Sequence, residues 1–116
     1  MSNRYLFQQY LHSTNQEGSG KARSYVKALD LLQEMLQASP EGFHGCQDLW
    51  NLKSPQRLQE LYPKVLLEQN KGDNSNWATP SIPPSYLKNR YCSAALKQYI
   101  AFRVELQQER SLLKLV

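Results

Sequence analysis

The segment from Ser85 to Arg110 constrains the fold most, because it carries two neighbouring apolar stripes at helical spacing. One is Leu87, Tyr91, Ala94, Ala95 and Phe102; the other is Cys92, Leu96, Tyr99, Ile100 and Val104. A helix apolar over so wide an arc has to be surrounded. This segment is therefore expected to be the longest helix and the centre of the molecule. The small side chains of Ala94 and Ala95 let another helix approach closely. The polar run Glu105 to Arg110 is expected to be its exposed end. The apolar stretch Ser111 to Val116 either docks as a last turn or forms a linker-like tail.

The rest of the chain supplies elements to surround that helix. Leu6, Phe7, Tyr10 and Leu11 predict a short amphipathic helix over Arg4 to His12, followed by a loop over Ser13 to Gly20. Ala22, Tyr25, Val26, Leu29, Leu32 and Leu36 form one stripe of a second helix, starting at Ser19 or Gly20. Ser39-Pro40 ends it, since the residue before proline avoids helical backbone. Phe43, Leu49, Trp50 and Leu52 should pin an irregular connection to the core. Ser54-Pro55 is a helix start, with serine as cap and proline where a missing N–H costs nothing. Leu58, Leu61, Tyr62, Val65 and Leu66 give that helix its apolar face, which Pro63 is expected to kink or split. Gln69 to Pro84 reads as a long, mobile polar loop, with Trp77 and Ile82 its only large apolar residues. Sustained polar/apolar alternation is absent and Val and Ile are few. The expected fold is all-α: a compact bundle of four or five helices with a long central C-terminal helix, one domain over residues 1–116. With 41% apolar residues, one core is feasible without metals or disulfides.

The same residues narrow the function. No apolar run approaches the roughly 20 residues that span a bilayer, and the N-terminus lacks the apolar core of a signal peptide. A cytoplasmic protein with Cys46 and Cys92 as free thiols is expected. Catalytic material is scarce. His44 and Cys46 are close in sequence, yet a loop histidine and a small buried thiol explain them far better than a reactive pair does. Asp30 and Glu34 lie one turn apart, which suits a surface charge pattern better than a metal. No zinc, nuclease or phosphate-loop signature is present. No enzyme, metal or cofactor is expected.

Charge gives the sharper clue. The net charge is +4, and it is unevenly placed: residues 1–50 hold four Lys/Arg and five Asp/Glu, residues 51–116 ten and five. Two acid-free basic groups stand out. Lys88, Arg90, Lys97 and Arg103 lie on the long helix, with Asn89 among them; Lys21, Arg23 and Lys27 open the second helix. Cations neutralise phosphates and release counterions, and Asn89 and Arg90 suit base edges. The same charges also suit a plain solvated helix face.

Tyr86-Leu87-Lys88-Asn89-Arg90-Tyr91 running into Ser93-Ala94-Ala95-Leu96-Lys97-Gln98-Tyr99-Ile100-Ala101-Phe102 resembles a segment of N-terminal accessory domains in bacterial restriction endonucleases, both HNH-type and modification-dependent. Phe7 to Leu11 with Ser24 to Leu29 resembles the first two helices of that module, and more weakly the core-binding domain of tyrosine recombinases. Asp48-Leu49-Trp50 and Ser54 to Tyr62 resemble its middle, so the likeness spans about residues 4–103. It implies a non-catalytic helical module that contacts double-stranded DNA or a partner such as a nuclease subunit. The alternative is an interaction module, such as a homodimer, built on Trp77 or on Leu112 to Val116.

Overall fold

The computed structural model describes residues 2–14, 20–80, 82, 83, 86 and 90–115. Among them are four α-helices and no strand: α1 (Asn3–Thr14), α2 (Lys21–Ala38), α3 (Pro55–Lys71) and α4 (Tyr91–Leu115). Short 3₁₀ turns at His44–Cys46, Leu49–Asn51 and Gly72–Asn74 fill the connections. The all-α bundle with a long C-terminal helix is thus the architecture of this chain.

α2 starts where the stripe predicted. Gly20, with φ +75°, turns the chain into it, a conformation glycine takes without a Cβ clash. At its far end the Ser39 N–H bonds the Met35 carbonyl just before Pro40. Ala28, Leu31 and Met35 are buried beside the expected stripe, so α2 is enclosed on most sides. What stays open is a strip containing Arg23, Lys27 and Glu34.

α3 begins at Pro55, with Ser54 Oγ accepting the Gln56 N–H at 3.3 Å. Pro63 does not split it. Pro63 and Gln59 both face solvent, so water can take the carbonyl that loses its helical partner. Leu58, Leu61 and Val65, all fully buried, hold both halves on the core. The helix also runs past the expected loop start at Gln69. That side chain is buried and makes a reciprocal pair with the first turn of α4: Gln69 Nε2 donates to Ser93 Oγ, and the Ser93 N–H donates to Gln69 Oε1, both at 2.9 Å. The pair joins the end of α3 to the start of α4. At the other end Arg103 reaches the carbonyls of Leu52 and Lys53, so the two helices are antiparallel.

The polar segment after α3 is pinned by Trp77. Its indole is fully buried and donates to the Ser39 carbonyl at 2.8 Å. Trp77 is therefore no exposed partner surface, as the alternative reading had it; this segment closes over the end of α2. Tyr91 departs from expectation in the other direction. It was placed on the apolar stripe, yet it is 39% exposed and lies against Tyr86 at 5.5 Å. Ser85 and Leu87, expected to open the long helix, lie outside the described residues.

The centre is an aromatic cluster. Phe7 from α1 meets Tyr99 edge-on at 5.1 Å and Phe102 at 5.6 Å, and Trp50 meets Tyr99 at 5.1 Å. Below it, Cys92 Sγ donates to the Ala28 carbonyl at 3.6 Å, tying α4 to α2. Past Leu106, α4 leaves the core, and Gln107 to Leu113 are all exposed. Of the apolar tail, Leu112 and Leu113 do not dock onto the bundle; the side chains of residues 114–116 lie outside the described residues.

Candidate nucleic-acid interface

The cations read from the sequence fall into different situations. Arg23 and Lys27 are exposed on α2, one turn apart, and among the described residues neither is ion-paired. Lys21 is exposed at the start of the same helix. Lys97 is exposed on α4, and Arg90 is exposed immediately before that helix begins. Arg90 has φ +63°, a left-handed conformation that ends the helix on its N-terminal side. Lys88 and Asn89 lie outside the described residues.

Arg103 is a correction. It was expected to meet phosphates from the open face of the long helix, but it is only 6% exposed. Its Nη1 donates to Tyr99 Oη at 3.0 Å, and its Nη2 donates to the carbonyls of Leu52 and Lys53. Helical register explains this. Arg103 falls four residues after Tyr99, on the core side, rather than with Lys97. Lys64 and Lys71 are also engaged. They flank the buried Glu68 carboxylate at 3.7 and 3.0 Å.

The α2 cations border a cleft of about 220 Å³ between α1 and α2, lined by Arg4, Gln8, Arg23, Val26, Lys27 and Asp30. The helices are antiparallel here, so Arg4 at the start of α1 meets Asp30 midway along α2. Its Nε and Nη2 grip the two carboxylate oxygens at 3.1 and 2.9 Å. That hydrogen bonding to Asp30 raises the Arg4 guanidinium above its usual range, against a smaller opposing effect of burial. Asp30 also accepts the Trp50 indole N–H at 3.0 Å. Among the described residues the one carboxylate that lines the cleft is thus occupied by Arg4 and Trp50. Arg90 and Lys97 do not line this cleft.

Arg4 and Gln8 were missed at the sequence level. They carry no local signal, because they matter only once α1 lies along the polar strip of α2. The other chemical candidates do not assemble. Cys46 is buried while His44 is exposed, and burial pushes the Cys46 thiol up, away from a reactive thiolate. Asp30 is committed to Arg4, and among the described residues no group of three His, Cys, Asp or Glu is placed to hold a metal. No described helix is long and apolar enough to cross a membrane. No family model, no curated protein and no solved structure matches this chain.

Proposed function

We propose that the chain is a non-catalytic DNA-binding accessory domain of restriction or phage-defence type, acting in the cytoplasm and contacting the phosphates of duplex DNA through basic residues. One observation carries the reading. Among the described residues, Arg23 and Lys27 stand exposed and without an ion pair beside a cleft whose one carboxylate is already bound by Arg4. The likeness to restriction-type accessory modules supports the biological setting. Lys21, Arg90 and Lys97 extend the positive surface, and Lys88 and Asn89 belong to the same basic stretch in sequence.

Contacts of this kind release counterions, with a log–log salt slope of about −0.9 per phosphate. Two contacts from Arg23 and Lys27 give a contribution of about −1.8. Anisotropy of a fluorescent duplex, titrated from low to moderate salt, should show a steep loss of affinity. The double variant Arg23→Gln/Lys27→Gln should flatten the slope by about that contribution. Absence of binding at low salt, or the same slope in the variant, refutes the reading.

A second reading, self-association, is favoured by Leu112 and Leu113, which are 64% and 75% exposed on the extension of α4. Sedimentation of the full chain and of the double variant Leu112→Ser/Leu113→Ser checks it. A dimer that the variant converts to a monomer supports it, and a monomer in both cases removes it.

A further inference from the structure

We infer that the cleft where α4 passes the start of α3 is a binding site for a phosphate-type oxyanion. It lies apart from the α1–α2 cleft, and it stands whether or not Arg23 and Lys27 contact DNA. Lys53, Pro55, Arg103, Leu106, Gln107 and Arg110 line a space of about 60 Å³, room for one small group rather than an extended ligand.

The sequence of α4 builds this cleft by changing the chemistry of one face. Up to Tyr99 this side is apolar: Cys92, Leu96 and Tyr99 are buried along it. On the same side the next positions are Arg103, Gln107 and Arg110, spaced one turn apart. A helix leaving a core normally becomes polar with mixed charge. Here it places two arginines and an amide opposite Lys53, and among the described residues no carboxylate lines the space.

Arg103 makes the charge hard to explain without a ligand. A guanidinium stays protonated, and a buried charge is ordinarily paired with an opposite one. All the partners of Arg103 are neutral: one phenol and two carbonyls. Among the described residues it has no ion pair. Clamping the turn at Leu52 and Lys53 accounts for its Nη groups but not for Lys53 and Arg110 gathering beside it. Like charges converging on a cleft are unfavourable in an empty site and favourable around an anion. The start of α3 adds little, because Pro55 lacks an N–H and the Gln56 N–H is taken by Ser54. The side chains make the site. Arginine forks and a lysine point charge match the oxygens of a phosphate group.

Calorimetric titration of the full chain with inorganic phosphate, against sodium chloride at equal ionic strength, tests the site. A saturable response to phosphate is expected, with chloride giving none. Lys53 and Arg110 are exposed, so Lys53→Gln/Arg110→Gln should leave the fold intact by circular dichroism while weakening phosphate at least tenfold. Arg23→Gln and Lys97→Gln remove charge elsewhere and should leave phosphate affinity within twofold. No saturable response beyond chloride, or equal affinity in the Lys53/Arg110 variant, overturns the inference. A backbone phosphate and free phosphate share this chemistry. Repeating the titration with saturating duplex DNA separates them: lost phosphate binding identifies the backbone as the source, and unchanged binding identifies free phosphate.

Discussion

Phe7→Ala is expected to destabilise the protein by about 3–5 kcal/mol, a large part of the roughly 5–15 kcal/mol that typically separates folded from unfolded domains. Phe7 and Leu11 are the buried residues of α1, and both are fully enclosed. The Phe7 ring lies within 6.2 Å of four others, Tyr10, Trp50, Tyr99 and Phe102. These rings come from α1, α4 and the 3₁₀ turn at Leu49–Asn51, so truncation leaves a cavity where three parts of the chain meet. Partial collapse cannot fill it without moving the edge-on Tyr99, which also holds Arg103. Urea unfolding followed by far-ultraviolet circular dichroism should show a lower midpoint with a similar slope. Tyr5→Ala, on the same helix but at a residue 47% exposed, should change stability by less than about 0.5 kcal/mol. A Phe7→Ala effect as small as that of Tyr5→Ala would mean that α1 is not docked on the bundle.

What the sequence made legible follows from which signals are local. The stripe of α2, the stop at Ser39-Pro40 and the start at Ser54-Pro55 depend on neighbours a few residues away, and the structure has them where the spacing put them. Of the two effects expected of Pro63, splitting does not occur, because the proline is exposed and the buried leucines around it hold one continuous helix on the core. Gln69 and Trp77 misled because polar surroundings hid their long-range partners, Ser93 and the Ser39 carbonyl. The candidate site divides in the same way. Arg23 and Lys27 were legible as cations opposite an apolar stripe. Arg4 and Gln8 were not, because only the pairing of α1 with α2 brings them to the cleft. Arg103 was read as exposed from charge alone, although its spacing of four from Tyr99 already put it on the core side.

Cys92 should make the fold sensitive to alkali. Burial pushes its thiol up from 9.0 to about 12. Its folded value thus lies above its unfolded one, and the neutral thiol is the form the fold accommodates. The stability this contributes is fully present below about pH 9 and is lost as pH rises from about 9 toward about 12. At 1.36 kcal/mol per pKa unit the full loss approaches about 4 kcal/mol, with roughly 2–3 kcal/mol gone by about pH 11. Burial also raises Tyr99, above its ordinary 10.0, so some alkaline loss persists without the thiol. Cys92→Ala should cost about 1–2 kcal/mol at neutral pH, from lost packing and the lost hydrogen bond to Ala28. Its stability should then fall less steeply than that of the parent above about pH 9, so the two curves converge and cross near about pH 10. Urea midpoints measured at pH steps from neutral to alkaline provide the comparison. Curves that stay parallel would mean that the thiol ionises without opening the contact between α4 and α2, contrary to its enclosed position in the core.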